Sequence, residues 1–487
     1  MSGFTVRETR VGLVVALGGL VAVLDATIVA VAFPELMRAF DTGVTGGQWV
    51  TTAYTLALVA TMPLAAALAG RWGARPVYVA ALCTFAVASL WAGAAGDFGS
   101  LIAARAGQGL AGGLITTVGM RIAFGAVDPA RRARMTAYTG LPLLIGPVLG
   151  PIVGGLLLDA GSWRSLFLVA AAPALAAALG ALRWVPKGPA AQERFRTDVI
   201  SSFLLVPGVV LVTYALSAEG TEGVARLALL GSGGALVAAF VRRSLVHPQP
   251  LLQVRLLRDR VFARNAAVLA LYAAPYFGST LLMPTYVQVL RSDGALQTAL
   301  LMIPGALGMG LTVQVAARVL ERLGATAVVG TGLALALLHG VVTVIVLRPD
   351  TPYGVLALIG VLRGVATGAV MMPTMAAATR RLHGSDLASG SSILPLVSTI
   401  ANGIGTAAVS ALFAGLIAWH LPAGSLSSLE RLHGPVRAAA VANAVDALRE
   451  TQSATLLLIL LALVVRLHGQ RRNLTARSVR AEPGRKR

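Results

Sequence analysis

The chain has 487 residues, of which 56% are hydrophobic and only 12% are charged. A soluble domain carries roughly 25% charged residues, so this composition excludes an ordinary soluble enzyme, and it also excludes a disordered chain. The formal net charge of +20 resembles that of nucleic-acid-binding proteins. Here, however, the charges lie mostly in short loops between long apolar runs. The sequence therefore predicts a polytopic membrane protein in contact with lipid, without a nucleic-acid partner.

Apolar runs long enough to cross a bilayer recur along the whole chain. A membrane-spanning helix needs about 20 mostly apolar residues. The predicted spans are 11–33, 47–69, 77–95, 100–122, 136–158, 165–185, 199–217, 224–241, 265–287, 295–317, 325–347, 353–375, 390–418 and 451–468. These 14 spans predict an all-α fold.

The distribution of Lys and Arg orients these spans. When the N-terminus is placed in the cytoplasm, most basic residues fall into inner segments, as the positive-inside rule requires. Removing either 199–217 or 224–241 would invert every later loop and destroy this bias. Both termini are therefore predicted to be cytoplasmic. Span 11–33 is not a secretory signal, because it is long, contains Asp25 and lacks a clear cleavage site.

Two parts of the chain resemble each other at a separation of about 250 residues. Segments 61–76 and 312–327 both end an even-numbered span and enter an inner loop. Within these segments Arg71 matches Arg322 and Gly73 matches Gly324, and similarly Arg105 in span four resembles Arg363 in span twelve. Transporters use such repeats to build a central site between two rocking bundles.

The repeat predicts the domain organisation. We expect six-helix bundles over 1–185 and 263–468, separated by a linker, 186–262, that contains two extra spans. Residues 469–487 form a basic tail at the inner face, where contact with anionic lipid is expected.

Several sequence motifs occur in an order that is typical of one family. They are LDATIVAVAFPEL (24–36), QWVTTAYTLA (48–57), RAGQGLAGG (105–113), GPVLGPIVGG (146–155), WRSLF (163–167), MPTYVQVL (283–290) and LLMIPGALG (300–308). In this order and at these spacings, most of the chain resembles the 14-helix drug:proton antiporters of the major facilitator superfamily, the multidrug efflux type. The resemblance implies the major facilitator fold, with two inserted transmembrane helices.

The segment 146–155 resembles the antiporter motif of that family. The resemblance implies export and assigns gating or packing roles to Gly146, Gly150, Pro151, Gly154 and Gly155. Three of these glycines recur every four residues, so they share one helix face on which a partner helix can approach closely.

The inner loop after span two resembles the family's G-x-L-A-D-R-x-G-R pattern. The resemblance implies gating roles for Arg71, Gly73, Arg75 and, in the second copy, Glu321. The first copy departs from the pattern, because Gly70 replaces its acid. The loop charge that locks one conformation is therefore missing from the first half. In span one, Ala30 replaces the expected Asn.

Asp25 is the only acid clearly inside a predicted span. With a rise of about 1.5 Å per residue, it lies roughly 12 Å below the outer end of its span, and Arg105 lies roughly 8 Å deep. The two side chains are therefore expected to face each other. Desolvation favours a neutral carboxyl group, whereas a nearby cation favours the charged form. The pair is predicted to couple transport to protons; the alternative is a static pair that ties two helices together.

Polar and amphipathic side chains in or near the spans are expected to line a substrate cavity. They include Gln48, Tyr54, Gln108, Tyr138, Tyr276, Gln288, Arg363 and Asn402. Arg363 lies near the predicted midplane, where it either pairs within the protein or meets a polar or anionic substrate. Flexible methionines in several spans favour a large apolar guest.

The sequence holds no phosphate-binding loop, no His set with ligand spacing and one cysteine, Cys83. We therefore expect no metal, no cofactor and no enzymatic activity. The predicted function is proton-coupled export of hydrophobic or amphipathic drugs across a bacterial cytoplasmic membrane, by a monomer that works by alternating access. The alternative is proton-linked export or flipping of an endogenous lipid or secondary metabolite.

Overall fold

The computed structural model describes most of the chain. It covers residues 4–480 except 129–130, 132–134, 136–137, 188–198, 218–222, 248–249, 251, 383, 422–425, 427–428 and 430–431. Within its helices, the side chains of 66–67, 141, 143–144, 147, 199, 202, 217, 317–318, 320–321, 384–385, 387–388, 392 and 469–480 are not described.

The described residues fold almost entirely into helices. The first half contains α1 (Val6–Ala39), α2 (Val44–Gly47), α3 (Trp49–Thr61), α4 (Ala65–Trp72), α5 (Ala74–Gly93), α6 (Phe98–Gly125), α7 (Leu141–Ala160) and α8 (Trp163–Trp184). Two further helices follow, α9 (Val199–Ser217) and α10 (Val224–Val246). The second half contains α11 (Arg260–Gly278), α12 (Leu282–Thr285), α13 (Ala295–Val346), α14 (Tyr353–Thr379), α15 (Gly384–His420) and α16 (Gly434–Arg480).

Each of the predicted spans falls on helix in the described part of the chain. Ten described helical segments are long and apolar enough to cross a membrane, and two shorter apolar stretches are Val148–Ala160 and Phe203–Leu216. The protein is therefore an all-α, multi-pass membrane protein, as predicted. The number of 14 crossings and the domain limits at 185 and 263 stay predictions.

Matching glycines interrupt the helices at the same place in each half. Gly73 separates α4 from α5 and has a φ of +89°, and Gly324 kinks α13 with a φ of +77°. These angles lie in a region that residues with a Cβ rarely adopt. The two glycines are matched in the sequence repeat, so the backbone repeats together with the sequence.

The two halves meet along two pairs of helices and at their outer ends. Helix α7 packs against α13, and α3 packs against α15. One apolar cluster joins the outer ends; it includes Phe33, Met37, Val44, Leu281, Tyr286, Phe413 and Val445. Near it, the side-chain amide of Gln288 donates a hydrogen bond of 2.8 Å to the Val31 carbonyl. The outer ends are therefore in contact in this conformation.

The outer end of the second half departs from regular α-helix. Ser279–Leu281 is a 3₁₀ turn, and Tyr286–Leu290 is a π-helix that carries Gln288. Short π-helical segments occur frequently at functional sites. The residue that contacts α1 across the two halves thus lies in the least regular part of the bundle.

Small residues bring α13 and α14 close together. A Cβ at Gly364 would lie 2.8 Å from the Gly305 carbonyl carbon and 2.9 Å from the Met309 amide nitrogen. Both distances are shorter than normal contacts with a Cβ, so the helix backbones would have to separate. In membrane proteins, such close approach is a main source of helix association.

We therefore expect Gly364→Ala to destabilise the protein by about 1–3 kcal/mol, the usual cost of overpacking. The matched control is Gly354→Ala on the same helix, where no described atom lies within 4 Å of the added Cβ. Thermal unfolding in detergent compares the two variants. Equal stability would show that α13 and α14 are not packed through Gly364.

Candidate functional site

A network of buried polar side chains lies inside the first half. Asp25 and Arg105 are 2% and 1% exposed, and Arg105 Nη1 lies 2.6 Å from Asp25 Oδ2. The same nitrogen donates to Gln108 Oε1 at 2.7 Å. Gln108 Nε2 donates to Asp25 Oδ1 at 3.2 Å and to Ser89 Oγ at 2.8 Å. Each carboxylate oxygen of Asp25 therefore has its own donor.

Arg105 is the centre of a network that joins five helices. Its Nε donates to the Val50 carbonyl of α3 at 2.9 Å. Its central carbon lies 4.6 Å from the Tyr54 ring centroid and 5.9 Å from the Phe167 ring centroid. Asp25 belongs to α1, Ser89 to α5 and Phe167 to α8. The network therefore connects α1, α3, α5, α6 and α8.

Glycines on α6 allow this geometry. A Cβ at Gly109 would lie 2.8 Å from Ala57 Cβ, and one at Gly112 would lie 2.9 Å from the Tyr54 hydroxyl oxygen. Because these positions lack side chains, α3 approaches α6 closely enough for Arg105 to reach a main-chain carbonyl. The RAGQGLAGG segment thus supplies both the cation and the space around it.

Asp25 and Arg105 stay paired because a buried charge without a partner costs free energy. Removing one partner of a buried ion pair leaves a charge without compensation, which costs about 3–5 kcal/mol, whereas replacing both partners is often nearly neutral. Arg105 also keeps acceptors that are independent of Asp25, namely Val50, Gln108 and the face of Tyr54. The guanidinium would therefore keep hydrogen-bond acceptors even beside an uncharged side chain at position 25.

The antiporter segment lies on α7 and contacts both halves. A Cβ at Gly150 would overlap the Thr27 side chain, and Gly154 lies beside Ile28, so this face packs on α1. The Thr27 hydroxyl also lies 3.5 Å from the Gly146 carbonyl. Gly155 lies on a different face of α7, against the second half, since a Cβ there would lie 2.8 Å from Leu296 Cα on α13. Pro151 is buried between them.

The residues of the inner loop lie apart from the buried network. Arg71 is exposed, with its guanidinium 5.7 Å from the Trp72 ring centroid. Arg75 donates to the Leu182 carbonyl and so connects α5 to α8. The side chain of Glu321 lies outside the described residues.

The predicted cavity residues do not form one cluster. Tyr54 and Gln108 belong to the Asp25 network, and Arg363 lies 4.8 Å from the Tyr276 ring centroid in the second half. The others lie elsewhere: Gln48 donates to Thr52, Tyr138 packs against Phe4, Gln288 binds the Val31 carbonyl and Asn402 accepts from Thr406.

Sequence reasoning missed two contributors to the network. Ser89 received no role, although a hydroxyl group in an otherwise apolar span was a usable signal. The Val50 carbonyl left no signal, because every residue has a main-chain carbonyl. Which carbonyl is accessible depends on how closely α3 and α6 approach.

Comparison with known proteins gives the family of this all-α membrane protein. Residues 15–406 match the model of the Major Facilitator Superfamily, and the chain belongs to that family. It is a transporter and not an enzyme.

Several relatives are named for drug resistance. A multidrug resistance protein B homolog of Mycobacterium tuberculosis (strain H37Rv) is 32% identical over 411 residues, which cover 82% of this chain and 75% of that protein. The puromycin resistance protein pur8 of Streptomyces alboniger is 31% identical over 445 residues, which cover 88% and 87%. These similarities support a role in drug export in general terms.

Solved transporter structures share the fold. A bacterial homolog of the human lysosomal transporter Spinster, in an inward-facing and unoccupied conformation, aligns with a TM-score of 0.69 at 16% identity. The alignment covers 96% of this chain and 98% of that one. The nucleoside transporter NupG aligns with a TM-score of 0.64 at 13% identity, covering 95% and 99%.

We expect the single variant Arg105→Gln to lose about 3–5 kcal/mol of stability, because the Asp25 carboxylate remains buried without its cation. The double variant Asp25→Asn/Arg105→Gln should recover most of that loss. Thermal unfolding of the purified variants in one detergent measures both effects. A double variant that is less stable than Arg105→Gln alone would contradict the ion pair.

Proposed function

We propose that this protein is a proton-coupled antiporter that exports hydrophobic or amphipathic drugs across the cytoplasmic membrane of a bacterium. It works as a monomer by alternating access. The observation that supports coupling is the Asp25 carboxylate, buried in the first half between Arg105 and Gln108. Drug export is supported by the relatives named for multidrug and puromycin resistance.

Protonation of Asp25 changes what holds α1 to α6. In the charged state, the carboxylate accepts from Arg105 and from Gln108. A proton removes the negative charge, while Arg105 keeps the Val50 carbonyl and the Gln108 amide oxygen as acceptors. The attraction between α1 and α6 therefore weakens, and the cation stays solvated by the protein.

Helix α1 carries this change to the contacts between the halves. Val31, whose carbonyl binds Gln288, lies six residues after Asp25, about 9 Å along the helix. Thr27 and Ile28, between them, face the glycines of α7. A shift of α1 therefore acts on both the outer closure and the α1–α7 contact.

Alternating access then requires the outer contacts to break. Gly155 against Leu296 and Gln288 against Val31 are formed in this conformation, and each joins one half to the other. Exchange between two states biased by proton and drug follows the general logic of population shift. At the contact with α13, Gly155 places no side chain between the halves.

The drug is proposed to bind between the halves, on surfaces that are mostly apolar and aromatic. Trp49 of α3 and Met371 and Met375 of α14 pack against one apolar cluster to which both halves contribute residues. Thioether side chains adapt to guests of different shape. This surface favours an amphipathic guest over a sugar.

We expect Asp25→Asn to abolish pH-driven drug efflux. The amide has nearly the shape of the acid but cannot exchange a proton at neutral pH. Everted vesicles with an imposed pH gradient, and puromycin and a cationic dye as probes, measure the effect. Movement of drug down its own gradient should persist, which separates lost coupling from lost folding.

Glu35→Gln is the matched control for this test. Glu35 lies on the same helix, is partly exposed and pairs with Arg38 at 2.9 Å. Its amide variant should export at the wild-type rate. Full pH-driven efflux by Asp25→Asn would refute the coupling role and leave the pair as a static brace.

The outer closure allows a second prediction. In a Cys83→Ser background, Asp159→Cys with Gly294→Cys should form a disulfide, because a Cβ at Gly294 would lie 3.6 Å from Asp159 Oδ1. The cross-link should block drug export, and a reducing agent should restore it. Each single cysteine variant serves as control. Export that continues while the bond is intact would rule out opening at this point.

A further inference from the structure

The second half contains a small cavity that the proposed transport cycle does not use. It has a volume of about 20 Å³ and lies between α11, the second part of α13, α14 and α16. Its polar lining comes from Tyr276, His339, Arg363, Gln452 and Thr455. Arg363 is a cation, and the described residues that line the cavity with it include no acid.

Arg363 has only neutral partners. Its Nη2 donates to the Tyr276 carbonyl at 2.6 Å, to the Ser279 hydroxyl at 3.3 Å and to the Thr280 hydroxyl at 3.2 Å. In the described part of the chain, none of the ion pairs within 4.0 Å involves Arg363. A cation at this depth usually has a counter-charge or a water-filled path.

The sequence repeat shows what is missing. Arg363 corresponds to Arg105, about 250 residues earlier, and the two network helices at each site hold equivalent places in the halves. At the 251-residue offset that relates segments 61–76 and 312–327, Tyr276 stands where the first half has Asp25. In place of a carboxylate, Tyr276 presents a ring stacked on Tyr272, with centroids 5.9 Å apart. The second half thus keeps the cation and lacks the acid.

Two further side chains face the cavity with hydrogen-bonding capacity to spare. Gln452 is only 7% exposed, and its described hydrogen bond uses the main-chain carbonyl, which accepts from Thr455. The described hydrogen bond of His339 likewise uses its main-chain carbonyl, which accepts from the Thr343 hydroxyl. The amide N–H groups of Gln452 and a ring N–H of His339 are therefore available as donors toward the cavity.

We propose that this cavity binds a small inorganic monovalent anion, such as chloride. The anion supplies the negative charge that Asp25 supplies in the first half, with Arg363 as its counter-ion and Gln452 as an additional donor. A cavity of about 20 Å³ suits a guest of roughly the size of one water molecule, such as a monatomic ion.

Chloride-dependent stability of the full-length protein tests the proposal. The Tm of purified protein in detergent is measured while sodium chloride replaces sodium gluconate at constant ionic strength. A ligand that binds only the folded state raises the Tm, so a saturable rise is expected. Bromide should act in the same way, and its anomalous scattering would locate the ion beside Arg363.

Three variants make the result specific. Arg363→Gln should abolish the chloride effect. Ser279→Asp places a carboxylate next to the guanidinium, so it should also abolish the effect while keeping the fold. The control Arg38→Gln removes an exposed guanidinium at the outer end of α1 and should keep the wild-type response.

An equal Tm in both salts for the wild type would overturn the proposal. A chloride effect that survives in Ser279→Asp would overturn it as well, and this variant serves if Arg363→Gln fails to fold. The measurement does not use transport, so its failure would leave the proposed drug export untouched.

Discussion

The dominant physical constraint on this protein is the cost of placing charge inside a membrane. The Asp25 carboxylate and the Arg105 guanidinium compensate each other's charge, with 2.6 Å between Oδ2 and Nη1 and almost no exposure of either side chain. Because a buried charge needs a partner, the pair holds α1 against α6, and the further contacts of Arg105 recruit α3 and α8. The arrangement of the first half around its centre follows from that requirement.

The two halves compensate their buried arginine in different ways. They share a backbone plan, down to the positive φ at Gly73 and Gly324. In the first half the arginine faces an acid that belongs to the chain, whereas Arg363 faces main-chain and hydroxyl oxygens beside a cavity. Proton response is therefore proposed for the first half. The second half contributes the irregular outer segment, Tyr286–Leu290, that closes against α1.

Much of the fold could be predicted, because hydropathy reports the length of a membrane helix directly. The meeting of Asp25 with Arg105 was also predictable, since both depth and charge can be read from the sequence. The cavity residues were not, because polarity does not reveal which face of a helix a side chain occupies. Tyr138 and Gln288 therefore lie outside the Asp25 network, against Phe4 and the Val31 carbonyl. The hydroxyl group of Ser89 was a usable signal, but its contact with Gln108 could not be predicted without knowing how the helices pack.

Proton release on drug binding tests the central claim most directly. Purified protein in weakly buffered detergent solution is mixed with drug at a series of starting pH values, and the pH change is recorded. If drug and proton compete through the Asp25 network, binding releases protons from the wild type, and Asp25→Asn binds drug without release. Equal proton release from both proteins, or drug binding without release by the wild type across the pH range, would contradict the account.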